Sequence, residues 1–474
     1  MESLVKLTGD IDSFMYTYLL IIILLAAGIY FTFASKFVQL RMFAESLRVI
    51  MEKPSKEGSV SSFQALMVST ASRVGTGNIV GVASAICTGG YGAVFWMWII
   101  AIIGGSSAFV ESTLAQIYKK KDPEGNYYGG PSYYIEAALH SRPLALLFAV
   151  SMLVTYAGGF NMLCAYNLQS TFSGYSFYDP STSPIIIGIV LAGLFGFCLW
   201  GGGKRIISTT SALVPFMGAL YVLISLVVIL LNIGNLPMVL GKIFSEAFDF
   251  QAIFGGFTGS AIMMGIKRGL YSNEAGVGSA PNAAAAADVS HPVKQGLVQM
   301  LSVFIDTLLL CTATAMMCLC SGIAPNADLA GAPYVQVALQ STLGTFGPVF
   351  ITVSMILFAF TTLIGNYYYT GNLLNYIHKG VPSQTFLKCF RVVCTLIVFF
   401  GAIAQMDLAW NVADILMGIM AIINLPVIFI LHRVAFRAEK DYLQQKAEGK
   451  NPVFRSSTVG LEGKTDCWEE GMHI

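Results

Sequence analysis

The sequence predicts an all-helical, multi-pass membrane protein, and three observations predict it. Of the 474 residues 55% are hydrophobic and only 11% are charged, with a mean hydropathy of +0.68, whereas a soluble domain carries about 25% charged residues. Apolar stretches long enough to cross a bilayer, about 20 residues each, recur along nearly the whole chain. Basic residues concentrate in alternate loops between those stretches, the asymmetry that orients polytopic proteins. The formal net charge of +1 leaves no basic footprint for nucleic acid.

Taken in order, eleven spans are expected, at 14–36, 63–88, 92–117, 143–172, 184–201, 206–232, 250–266, 295–320, 346–376, 385–404 and 408–432. The first follows a mixed polar leader (Lys6, Asp10, Asp12) and lacks a small-residue cleavage site, so it reads as a permanent span rather than a signal peptide. The chain after Arg433 is polar and reads as a soluble extension. All of the 27 lysines and arginines except Lys6, Arg73 and Lys242 fall in the first loop, every second loop after it, or the tail. With that first loop in the cytoplasm, the N-terminus lies outside and the C-terminus inside. The expected organisation is an N-terminal segment (1–62), a first five-helix repeat (63–232), a second (250–432) and a polar cytoplasmic tail (433–474).

Two spans do not read as plain helices. The second carries Gly75-Thr76-Gly77-Asn78 in mid-membrane, and the seventh opens with Gly255-Gly256-Phe257-Thr258-Gly259-Ser260. Glycine is costly in a helix interior, and unwound backbone at membrane depth is tolerated only where it lines a cavity or is buried in protein. The two spans are five apart and so cross in opposite directions, the pointer to an inverted repeat of five helices plus five. Close-packing small-residue motifs are the alternative. A helix broken in this way offers free amides and a positive dipole end to a carboxylate, and free carbonyls to a cation. With Asn78 adding a neutral oxygen, the second span suits a zwitterionic amino acid together with sodium.

The stretches STASRVGTGNIVGVASAI (69–86), GAVFWMWIIAIIG (92–104), YYGGPSYYIE (127–136), RGLYSNEAGVGSAP (268–281) and FIDTLLLCTATA (304–315) resemble the alanine/glycine:cation symporter family, the sodium:alanine symporters of the leucine-transporter-like superfamily. The resemblance implies a leucine-transporter type fold, one extra N-terminal helix followed by a ten-helix core. It implies sodium-driven, less often proton-driven, uptake of alanine, glycine or related amino acids. Residue by residue, it makes Thr76, Gly77 and Asn78 the carboxylate-binding break, and Phe257, Thr258 and Ser260 the break of the sixth core helix, against the substrate's amino group and side chain. It assigns a sodium site to the carbonyls of Ala71 and Val74 and the hydroxyls of Thr361 and Thr362. The two threonines bonding back to their own helix is the alternative.

One position departs from the family pattern. Within GGFNMLCAYN (158–167), Cys164 falls where family members carry an amide, usually glutamine, near the substrate. The loss of a polar contact leaves room for a larger neutral amino acid such as glutamine, and Asn161 is the polar neighbour that could substitute. Intramembrane charges are costly and presumptively functional. Arg73 is expected to pair with Glu111, Asp306 or Asp414 at an inner gate, or else to lock helices together. The segment SNEAGVGSAP (272–281), following Lys267 and Arg268, reads as a cytoplasmic loop or re-entrant turn that packs tightly, with no chemical role assigned.

Eight of the nine cysteines lie in or beside apolar runs, without the paired spacing of a metal site or disulfide framework. No nucleophile, base or metal-ligand pattern of an enzyme occurs at a convincing place, and no nucleotide-binding domain is evident. Neither charged rings nor symmetric pore motifs of a channel are seen. The expectation is a secondary transporter of the plasma membrane, the inner membrane of a bacterium. Its partners are a neutral amino acid, sodium and the bilayer, with no cofactor, nucleotide or nucleic acid.

Overall fold

The computed structural model describes residues 2–54, 56, 58–122, 124–200, 202–248, 260–380 and 382–469, with the side chains of 202–206 excepted. Among them the only strands are Lys120–Lys121 and Tyr127–Tyr128, paired antiparallel in a short hairpin. Twelve helices carry the architecture: α1 (Glu2–Ala34), α2 (Ser62–Arg73), α3 (Val80–Gly89), α4 (Gly92–Ile117), α5 (Arg142–Ser170), α6 (Ser183–Leu199), α7 (Gly202–Leu231), α8 (Ala261–Asn273), α9 (Pro292–Cys320), α10 (Phe346–His378), α11 (Gln384–Ala402) and α12 (Met406–Ala447). Among the described residues, eight helices are long and apolar enough to cross a membrane alone. α2 and α3 follow one another across the short turn Thr76–Asn78.

Local chemistry sets several ends. Ser61 caps α2 by accepting from Gln64 N–H, while the Gln64 side chain returns to Ser61 N–H, the reciprocal capping box. Ser383 caps α11 through Phe386 N–H. α4 runs through the centre, packed on α8 and α9. α6, α7 and α11 turn large apolar side chains outward, among them Ile189, Phe197, Leu226, Leu230, Leu396 and Phe400, as a lipid-facing surface requires.

Three expectations need correction. The polar leader is not separate from the first span: α1 begins at Glu2, and buried Asp12 is neutralised by Lys267. The helix that overlaps the expected seventh span, 250–266, runs on past it: α8 ends at Asn273 and is followed by a break at 274–280 and a short helix Pro281–Ala286. Lys267 and Arg268 are therefore buried helix residues, not loop residues. The tail is no free extension either. α12 continues to Ala447, and the chain then folds back on the hairpin end. Phe454 N–H donates to Ser290 O (2.9 Å), and Trp468, 1% exposed, donates from Nε1 to Gln116 O (2.7 Å).

Candidate functional site

The first break follows from hydrogen bonds that leave the helical ladder. Val74 takes an extended ψ of 91°, although its N–H still reaches Thr70 O (2.7 Å). Gly75 N–H, which would continue the ladder to Ala71 O, is donated to Asn78 Oδ1 instead (2.9 Å). Thr76–Asn78 form a single 3₁₀ turn before α3 starts. The Ala71 carbonyl accepts from Thr362 Oγ1 on α10 (3.3 Å). Thr76 Oγ1 accepts from Asn167 Nδ2 on α5 (3.0 Å), and Asn78 Nδ2 donates to Asp306 Oδ1 on α9 (2.8 Å). The break is thus tied to three neighbouring helices, and Thr76 and Asn78 are buried.

The second break lies at 274–280, in the segment expected as a tightly packed cytoplasmic loop or re-entrant turn. After Asn273, residues Glu274, Gly276 and Gly278 take φ of 52°, 81° and 93°, a left-handed region open mainly to glycine. The turn is held from inside: Asn273 Oδ1 accepts from Ala275 N–H (3.0 Å) and Ser279 Oγ donates to Glu274 Oε2 (2.6 Å). It is also held from outside, because Gly276 N–H donates to Glu111 Oε1 (3.2 Å) and Asn424 Nδ2 bonds both Glu111 Oε2 (2.8 Å) and Gly276 O (2.9 Å).

The two crossings meet. The Tyr271 ring lies against Gly77, so closely that a Cβ there would be 2.6 Å from Cε1. Asp306, fully buried, bridges them: one carboxylate oxygen accepts from Asn78, the other from Ser272 Oγ (2.6 Å) and Thr307 Oγ1 (3.0 Å). Phe160, Cys164 and Asn167 recur at helical spacing on α5. Phe160 packs on Tyr271 with ring centroids 5.2 Å apart, Cys164 donates to Ala359 O (3.4 Å), and Asn167 reaches Thr76.

Set against the sequence-predicted residues, the structure brings Thr76, Gly77, Asn78, Cys164, Ala71, Val74 and Thr362 together. Thr361 is turned away, donating to Leu357 O (3.0 Å) with Met217 Sδ 3.7 Å off, because an interior threonine readily bonds back to its own helix. Phe257 and Thr258 lie outside the described residues. Ser260 caps the far end of α8 through Met263 N–H (3.3 Å). Eleven residues from Tyr271, it is about 16 Å along the helix from the meeting point. That end of α8 packs on Gly89 and Ala93.

Arg73 pairs with none of the three acids proposed for it. Its Nη1 donates to Gln299 O (3.4 Å), while Nε and Nη2 have no partner. Asp414 pairs with Lys267 and Arg268 (both 3.1 Å). Asn161 faces α10, accepting from Asn366 Nδ2 (3.0 Å). Sequence reasoning missed Tyr271, Ser272, Asn273 and Asn167. The signal for the first three was present: YSNEAGVGSA (271–280) joins polar residues to two glycines two apart, a turn signature with apolar chain on both sides.

A family model described as "Sodium:alanine symporter family" matches residues 1–456. The chain is 43% identical over 469 residues to "Amino-acid carrier protein AlsT" of Bacillus subtilis (strain 168), covering 99% of this chain and 98% of that one. It is 43% identical over 470 residues to "Probable sodium/glutamine symporter GlnT" of the same organism, covering 98% and 96%. Among solved structures, MhsT in complex with L-phenylalanine superposes with a TM-score of 0.56 at 14% identity, over 88% of this chain and 95% of that one. This likeness bears on the fold alone.

Proposed function

The chain belongs to the sodium:alanine symporter family, and from that premise we propose that it imports small neutral amino acids such as alanine or glycine with sodium, by alternating access. It is a multi-pass membrane transporter and not an enzyme. The observation that carries the reading is the broken crossing at Val74–Ile79, whose polar groups are spent on tertiary contacts rather than on a helical ladder.

In this reading the substrate carboxylate sits on the Thr76–Asn78 turn at the positive end of α3. Sodium takes the Ala71 and Val74 carbonyls with the Thr362 hydroxyl, oxygen ligands suited to a hard cation. Thr361 joins only after its side chain rotates. Tyr271 and Phe160 close over the site. The eleven-span count, with the N-terminus out, the C-terminus in and two inverted five-helix repeats, is supported by two interrupted crossings five apart. It puts the hairpin end in the cytoplasm of a bacterial inner membrane. A cavity of about 1110 Å³ opens at that end beside Gln64, Tyr133, Arg142 and Tyr376, and a smaller one of about 390 Å³ lies beside Val80, Tyr166 and Gly331. These are the two vestibules that rocking of one bundle against the other would open in turn. Sodium and substrate bias that equilibrium only through differential binding to its states.

The second reading is symport of a larger neutral amino acid such as glutamine, coupled to sodium or protons. It is favoured by one observation, the thiol of Cys164 where the family carries an amide. The test is radiolabelled alanine uptake into proteoliposomes under an inward sodium gradient, with glycine and glutamine as competitors. Uptake should need sodium and be blocked by alanine and glycine. Asn78→Ala should lower it at least about tenfold with normal yield of folded protein. Undiminished uptake by that variant would remove the site assignment, and sodium-dependent uptake blocked by glutamine alone would select the second reading.

A further inference from the structure

The amide missing at position 164 reappears one helical turn along α5. Asn167 is fully buried, and its Nδ2 donates to Thr76 Oγ1 at the break (3.0 Å). Its Oδ1 is buried without a hydrogen-bond partner. The Thr76 hydroxyl can donate or accept, so turning the amide over only exchanges the atoms: one polar atom of Asn167 is spare in either orientation. A spare buried polar group costs free energy unless something completes it. The other polar side chains of α5 nearby cannot, since Asn161 is committed to Asn366, and Cys164 is committed to Ala359 O.

We propose that Asn167 is a substrate-reading residue, and that its spare atom selects neutral amino acids whose side chain ends in an amide. A primary amide presents both a donor and an acceptor, so it complements Asn167 whichever way that side chain is turned. An aliphatic side chain complements neither orientation. Alanine lacks the reach and takes only the contacts at the break. This inference rests on the placement of the substrate carboxylate at Thr76–Asn78.

The test is sodium-dependent binding of labelled alanine to detergent-purified protein, displaced by unlabelled alanine, glutamine or norleucine, a near-isostere of glutamine without the amide. The native protein should bind glutamine about tenfold or more tighter than norleucine. Asn167→Ala should erase that ratio, with a larger loss of affinity for glutamine than for alanine or norleucine. Asn167→Ser, which keeps a hydroxyl near Thr76, guards against misfolding and should give an intermediate ratio. A native ratio near one, or a ratio unchanged in Asn167→Ala, would overturn the proposal. So would equal losses for all three ligands, which would make Asn167 only a support for Thr76. Absence of any sodium-dependent alanine binding to the native protein would instead defeat the transport-site reading beneath it.

Discussion

Two groups of buried charges gather around α8 and the break that follows it, and they are treated in opposite ways. In the first, Asp12, Lys267, Asp414 and Arg268 form a closed quartet with no net charge, its members linked in direct ion pairs. Arg268 lies 3.9 Å over the Trp410 ring and Lys267 4.9 Å over Tyr16. In the second, Arg73, Glu111, Glu274 and Asp306 are just as buried, yet no direct ion pair joins them. Each acid is held by amides, hydroxyls or backbone N–H groups, and Arg73 keeps two nitrogens without partners. A closed quartet ties α1, α8 and α12 in one arrangement. Charges satisfied by neutral, rotatable groups can exchange partners when helices move, which is the property an alternating-access site needs.

The comparison breaks first at Asp414. Removing it leaves two buried cations facing one carboxylate, and an unpaired buried charge costs about 3–5 kcal/mol. Asp414→Ala should lower the yield of monodisperse protein sharply and drop Tm in detergent. An unchanged Tm would mean that the quartet is not a lock. Gly365→Ala comes next. Its Cβ would lie 2.8 Å from Ser72 N and 3.1 Å from Ser72 Cα, pushing α10 off α2 at the cost of overpacking, about 1–3 kcal/mol. Because Thr362 and Ala71 lie beside that contact, the sodium concentration for half-maximal uptake should rise as well. A fall in Tm with sodium affinity intact would separate the helix contact from the ion site.

Asp306→Asn sharpens the contrast from the other side. Its partners Ser272 and Thr307 are hydroxyls that can reverse donor and acceptor roles, so Tm should move little. Sodium-driven uptake should fall at least about tenfold, because the group joining both breaks has lost its charge. A large Tm loss with near-normal transport in the surviving protein would place Asp306 with the quartet.

What was legible in the sequence follows the same division. The Val74–Asn78 break could be read because two glycines and two polar side chains stand in an otherwise apolar span. The break at 274–280 was harder to read because Lys267 and Arg268, taken alone, look like the edge of a cytoplasmic loop. Only tertiary pairing with Asp12 and Asp414 makes those cations affordable inside a helix, and the partners lie about 255 and 146 residues away. Asn167 was passed over because local sequence does not show which face of α5 meets the break. The docked tail was missed because polar composition, read alone, suggests solvent.

A third ionic cluster, at the water's edge, should give the smallest effect. Glu45 accepts from Arg48 (2.7 Å), Tyr442 (2.5 Å) and Lys446 (3.1 Å), joining the helix Phe43–Ile50 to the end of α12. Burial alone would raise its carboxyl, but hydrogen bonds from Arg48, Tyr442 and Lys446 outweigh burial and hold it down at about 2. An unfolded glutamate titrates near 4.3. The folded value is the lower one, so the stabilisation is fully present above pH of about 4.3 and is lost as pH falls toward about 2. Exposed pairs of this kind are worth under about 1 kcal/mol, so Glu45→Gln should cost only a few degrees of Tm at pH 7. The gap to the native protein should begin to narrow below pH of about 4.3. A gap independent of pH down to 3 would show that the contact works by packing rather than by charge, and would leave the quartet as the only ionic lock of the two.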